Sequence, residues 1–145
     1  RPGRSPAPVL QDGALHVIIP PEPNPTQRAA LIAARINSWH RAQARTVLKA
    51  RLDHWAGQFG LSYGQFILSS PARRWGSCDG RNNIRLNWRL ILTPLEQIDY
   101  VAAHELAHVL HKDHSPRFWA ALARIMPDYA ARQRKLTEYG RDLMI

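Results

Sequence analysis

The sequence predicts an α+β domain, with a small antiparallel or mixed sheet packed on a long helix and on a second, shorter helix. Three observations carry the prediction. Helical periodicity runs over residues 26–59. Two strand-like segments follow, at 65–69 and 83–92. Three further helical segments, bounded by Pro or Gly, fill the last third. The chain of 145 residues, 45% of them hydrophobic, is large enough for one core.

Residues 1–13 read as a flexible leader, rich in Pro, Gly and Arg at its start, and 14–145 as a single domain. The run 14–19 (ALHVII) reads as a short strand, and four prolines in 20–25 break it. Within 26–59, Leu31, Ile32, Ile36, Leu48, Leu52 and Trp55 recur at helical spacing. Arg28, Arg35, Arg41, Arg45 and Arg51 occupy the other faces, as a solvated surface does. Gly57 and Gly60 close this helix. Residues 71–82 read as a loop. In 83–92, Ile84, Leu86, Trp88 and Leu90 alternate with Arg85, Asn87 and Arg89, as in a half-buried strand. Trp75 and Trp88 are expected in the core. Thr93 and Pro94 open the next helix as N-cap and first helical residue, and it runs to about His111. Ser115 and Pro116 open another in the same way, stopped by Pro127, and 128–139 form the last.

Twenty basic residues against 11 acidic ones give a net charge of +9. That balance suits acidic partners, nucleic acid among them. The one cysteine, Cys78, excludes an internal disulfide and a Cys-only zinc site. It fits a reducing compartment, so a cytoplasmic location is expected. No apolar run nears the ~18 residues of a membrane span, and no membrane partner is expected. Nothing near the start reads as a signal peptide; residue 1 is Arg rather than Met, as expected of a trimmed or mature chain.

The segment that carries chemistry is His104-Glu105-Leu106-Ala107-His108, an HExxH pattern. Composition alone would produce it roughly 0.01 times in such a chain, so chance is a poor account of it. On a helix, positions i and i+4 share a face. Two imidazoles there can hold one metal ion, with the intervening Glu close enough to act on a water. The flanking residues are small and apolar, and two His and a Glu among them are costly to bury without partners. Leu95, Ile98, Ala102, Leu106 and Val109 form one apolar stripe, with Glu105 between it and the histidines. Glu105 should then be partly desolvated, which raises a carboxyl towards the working range of a general base.

A catalytic zinc takes three protein ligands and keeps one open position. His111, Asp113, His114 and Glu138 are candidates for the third. His111 lies about 10 Å from His104 along a straight helix, too far for one ion to take it with His104 and His108. His114 precedes the next helix start, where the chain must turn and can return it to the metal. The spacing is that of the third His in HExxHxxGxxH proteases, but His111 stands in place of their Gly, so the turn must differ.

These residues sit among others that resemble the YgjP-like metallopeptidase domain, a zincin family related to the WLM and SprT-like protease domains. The resemblance covers Arg74-Trp75-Gly76-Ser77-Cys78, Ile84, Leu86-Asn87-Trp88-Arg89-Leu90 and Asp99-Tyr100-Val101. It continues through the HExxH segment, His114-Ser115 and Phe118-Trp119. It implies a zincin-like fold, Zn2+ on His104, His108 and His114, and Glu105 as catalytic carboxylate activating a zinc-bound water. It implies a protein or peptide substrate. The family's longer N-terminal β-rich section has at most the run 14–19 as a counterpart here, and Asp113 stands where Asn is more usual.

An extended substrate would add to the edge of the 83–92 strand. Arg74, Arg85 and Tyr100 are candidate oxyanion donors. Cys78 is a small buried thiol or a latent zinc ligand. His16, His40 and His54 read as ordinary surface or helix residues. The alternative is a basic nucleic-acid-associated domain. It would be a DNA-linked protease of SprT-like type or a non-catalytic zinc-containing binding module. A pure binder has no need of Glu105 between two ligands, and a structural zinc wants a fourth.

Overall fold

The computed structural model describes residues 7–21, 24–71 and 73–140. Residues 1–6 of the expected leader lie outside them. Two compact units divide between Gln43 and Ala44, inside the long helix.

In the first unit, β1 (Val9–Gln11) pairs antiparallel with β2 (Ala14–His16), Leu10 opposite Leu15. Residues 9–11 of the expected leader are thus a strand. The turn is Asp12-Gly13, both with positive φ (53° and 75°), the backbone that a two-residue hairpin of matching twist requires. The long helix α1 (Pro25–Gln58) starts where Asn24 Oδ1 accepts hydrogen bonds from the backbone N–H groups of Thr26 (2.9 Å) and Gln27 (3.2 Å).

In the second unit, Ala44, Leu48, Leu52 and Ala56 bury one stripe of α1 at four-residue spacing. Gly60, with φ 61°, ends the helix. The Leu61 N–H bonds the Ala56 carbonyl at 2.9 Å and the Gly60 N–H that of Gly57 at 3.5 Å, the paired bonds of a Schellman cap. Three strands follow: β3 (Phe66–Ser69), β4 (Gly76–Cys78) and β5 (Ile84–Asn87). Their order is β3-β5-β4, with β3 parallel and β4 antiparallel to β5, so the sheet is mixed. Ile84, Leu86, Trp75 and Trp88 enter the core with α1, α2 (Leu95–Leu110) and α3 (Pro116–Ile125). The helix α4 (Tyr129–Thr137) adds Leu136.

The strand expected over 14–19 ends at His16. In the second unit the structure departs from the sequence reading at four points. Strand β4 lies inside the expected loop; Gly-Ser-Cys has no apolar alternation to betray it. The strand read as 83–92 stops at Asn87, and a 3-10 helix, Trp88–Leu92, takes over. Asn87 makes that turn: its Oδ1 accepts from Arg89 N–H at 3.0 Å, while Nδ2 donates to the carbonyls of Pro71 (2.9 Å) and Arg74 (2.8 Å). Thr93 is not the α2 N-cap. Its hydroxyl bonds the Leu90 carbonyl at 2.7 Å to close the 3-10 helix, and Pro94 caps α2 without a side-chain bond. Finally, α2 is not amphipathic in place: every residue from Gln97 to His108 is buried, because the sheet packs on it as well as α3 and α4. Arg51 of α1 grips Asp99 of α2 through two hydrogen bonds, 2.7 and 3.0 Å. Among the described residues, no helix is long and apolar enough to cross a membrane.

Asn87→Ala removes its amide from the Pro71 and Arg74 carbonyls and from the Arg89 N–H. It should lower the unfolding free energy by about 2–4 kcal/mol, read by urea denaturation, with the m-value unchanged.

Candidate active site

Helix α2 carries His104 and His108 one turn apart, 1% and 0% exposed. After Leu110 the helix ends. His111 takes an extended backbone (φ −139°, ψ 115°), which any residue can adopt, so the chain turns here without a glycine. The turn returns His114. Its Nε2 lies 3.3 Å from His108 Nε2 and 3.4 Å from His104 Nε2. Two nitrogens on one tetrahedral ion, each at ~2.0–2.1 Å from it, lie about 3.3–3.4 Å apart. The three ring nitrogens can hold a metal ion.

The opposite nitrogens are held from behind. His108 Nδ1 lies 2.8 Å from the His111 carbonyl, which accepts only from an N–H, so Nε2 is left with its lone pair towards the cluster. His104 Nδ1 lies 3.4 Å from the Tyr100 hydroxyl. Aromatic rings fix the imidazole planes: Phe118 stacks on His108 (centroids 4.2 Å) and Trp119 on His114 (5.7 Å), with Tyr129 stacked behind Trp119 (5.6 Å). Burial pushes His104 well below the ordinary imidazole range, helped by His108 and His114, and burial lowers His108 too. Neutral imidazoles are the form that binds metal.

Glu105 is fully buried, and no described group hydrogen-bonds either of its carboxylate oxygens. Burial raises its carboxyl well above the ordinary range, against the pull of the Arg74 guanidinium. Strand β4 presses on it from one side. A Cβ on Gly76 would stand 3.0 Å from Glu105 Oε2, 3.0 Å from Val101 Cγ1 and 3.1 Å from the Arg85 carbonyl. A side chain here would crowd the carboxylate, the Val101 methyl and the strand backbone.

A model of the YgjP-like metallopeptidase domain matches residues 14–139. The chain belongs to that family. The YgjP-like domain is thus a metallopeptidase domain, a peptide hydrolase whose family implies a metal ion and a protein or peptide substrate. No curated protein matches the sequence. Solved structures similar in fold include two metallopeptidase zymogens. One is the metallopeptidase zymogen of Pyrococcus abyssi abylysin, with TM-score 0.61 and 17% identity, covering 67% of this chain and 99% of that one. The other is the metallopeptidase zymogen of Methanocaldococcus jannaschii jannalysin, with TM-score 0.55 and 16% identity, covering 63% of this chain and 95% of that one. The YgjP-like fold here is therefore α+β and zincin-like.

The other candidates fall elsewhere. The His111 side chain is outside the cluster; its carbonyl serves His108. Asp113 Oδ1 accepts from the Ser115 N–H at 3.4 Å, and Glu138 faces Lys135 at 3.9 Å. Cys78 is half-buried and lies outside the group of clustered ligands. Tyr100 is fully buried, with its hydroxyl directed at His104 Nδ1. The sequence reading gave no role to Phe118, Trp119 or Gly76. The first two follow the Ser115-Pro116 helix start by two and three residues, which was the available signal for Phe118 and Trp119 facing His114.

Gly76→Ala should cost about 1–3 kcal/mol of stability by overpacking. Gly80→Ala, whose Cβ would meet nothing within 4 Å, serves as the control in the same thermal melts. A second expectation concerns pH. The folded Glu105 carboxyl is raised above its unfolded value, so the fold favours its protonated form. Its contribution is therefore fully present below the ordinary carboxyl range and is lost as pH rises towards the raised folded value. In metal-free protein, Glu105→Gln should raise the Tm at pH 8 and give a smaller gain at pH 5; equal gains at both would show that Glu105 does not titrate this way.

Proposed function

We propose that this domain is a zinc-dependent metallopeptidase that cleaves peptide bonds in extended protein or peptide segments. His104, His108 and His114 would hold the ion. The observation that carries the reading is that His114 Nε2 lies at tetrahedral spacing from both His104 Nε2 and His108 Nε2, beside a buried carboxylate. Zinc, when bound, lowers the pKa of a coordinated water to ~7 and polarises a carbonyl. Glu105 would take a proton from the attacking water and hand it to the leaving amine. Its burial without protein partners leaves both oxygens available for that transfer.

The substrate edge differs from the sequence expectation. Strand β5, within 83–92, is flanked by β3 and β4 and has no free edge. Strand β4 is paired on one side only among the described residues, and it touches Glu105 through Gly76. An extended peptide would pair with β4. Of the oxyanion candidates, Arg74 is the one whose charge Glu105 senses. The net charge of +9 suits acidic substrates. Nucleic acid is the other acidic partner that charge would serve. The reading keeps the cytoplasmic location that the single cysteine favours.

Metal analysis should find one zinc per chain, with His114→Ala reducing it far more than His111→Ala. With casein as substrate, Glu105→Gln should retain zinc and lose hydrolysis by a factor on the order of 10²–10⁴. Equal zinc loss in the two histidine variants, or undiminished cleavage by Glu105→Gln, would overturn the assignment.

A further inference from the structure

Beside β4 lies a cavity of about 530 Å³. All three β4 residues line it, together with Arg74, Asp79 and Arg85. None of the three clustered histidines does. Its link to the site is Gly76, which faces the cavity and abuts the Glu105 carboxylate. It therefore flanks the reacting groups rather than containing them.

The charges in this cavity do not cancel. Asp79 is the one acid in its wall, and that carboxylate is already committed. Its oxygens accept from the backbone N–H groups of Arg81 (2.9 Å) and Asn83 (3.0 Å) and from Asn83 Nδ2 (3.2 Å). Those bonds hold its carboxyl down at about 2. Arg85 reaches it only through one long contact, Nη1 to Oδ2 at 3.4 Å, with the Arg85 side chain 41% exposed. The fork of that guanidinium is mostly unused. Arg74 takes part in none of the ion pairs among the described residues. At the rim, Lys112 Nζ stands 3.7 Å from Cys78 Sγ and also bonds Asn82 Oδ1, adding a third cation.

We propose that this cavity is a subsite for an acidic side chain of the substrate, held between Arg74 and Arg85 while the peptide backbone lies along β4. The inference rests on the reading of β4 as the substrate edge. It deepens that reading by naming the substrate class: extended segments with Asp or Glu near the cleaved bond. A carboxylate matches the guanidinium fork in a bidentate manner. The free strand edge favours a peptide over a nucleic acid. Its N–H and C=O groups alternate as a peptide backbone requires, and a phosphodiester chain has no matching donors. With Arg74, Arg85 and Lys112 set against one committed acid, the cavity is net positive and would guide acidic segments to the site.

The test uses fluorescence anisotropy with the non-cleaving Glu105→Gln protein, with and without added zinc. The probes are labelled neutral peptides carrying a single Glu, moved along the chain, and their Gln and Lys twins. At one position the Glu peptide should bind about tenfold or more tightly than its Gln twin at low salt. Adding Arg85→Gln should bring that ratio close to one. Arg85→Glu should invert it in favour of Lys, a gain that a misfolded protein cannot produce. Equal binding of the Glu, Gln and Lys peptides at every position, or no peptide binding at all, overturns the subsite. So does a single-stranded oligonucleotide that displaces the Glu peptide and loses affinity equally with Arg85→Gln, since the cavity would then be a phosphate site. Cleavage assays with the Glu105-containing protein separate the two levels. Peptides cleaved without a Glu preference leave the peptidase reading and remove the subsite. A Glu preference in binding with no cleavage of any peptide does the reverse.

Discussion

Helix α2 is buried along twelve consecutive residues, and that stretch contains two imidazoles and a carboxylate that face one another's surroundings rather than water. Much of the second unit's architecture can be traced to this constraint. An ionisable group removed from water must be paired, neutralised or held for a purpose. The histidines are neutralised by burial, and their outer nitrogens meet a carbonyl and a phenol. Their inner nitrogens converge with His114. Glu105 is the ionisable group on this stretch with no hydrogen-bond partner among the described residues. An apolar residue of similar size would be the more stable choice there, so the carboxylate is retained at a cost to stability.

Polar groups close by show what ordinary accommodation looks like. Asp99 is buried on the same helix but meets Arg51 through two short bonds. Asn87 is fully buried and spends its amide on three backbone groups. Thr93 closes the 3-10 helix with its hydroxyl. These side chains tie strands, loop and helices into one frame, and Asn87 also secures the backbone of Arg74, whose charge reaches Glu105. These three side chains are satisfied within the frame, while both oxygens of the Glu105 carboxylate are not.

Three residues of β4 connect the parts. Gly76 gives room to Glu105, and among the described residues the strand's backbone pairs with β5 on one side only. The outer surface of the strand lines the basic cavity. A segment this short contributes little burial of its own, and its position depends on β5 and on the Asn87 bonds to the loop before it. Changes at Asn87 therefore reach the site through the backbone rather than through contact.

Helix bounds were legible in the chain because their causes are local. Gly60 at positive φ, Ser115 with Pro116, and Pro127 each act within a turn. The i, i+4 placement of His104 and His108 is equally local, as is the axial distance that separates His111 from His104. The Asp-Gly turn of the first hairpin was local as well, but it fell in a stretch whose prolines suggested a leader. What only the tertiary structure decided depends on partners distant in sequence. Strand β4 exists because β5 pairs with it. Glu105 went from an expected partial burial to complete burial because the sheet covered a helix face that its own sequence left undecided. Helical phase, a property of the chain alone, determines which side chains share a face; what covers that face is set by where the rest of the chain packs.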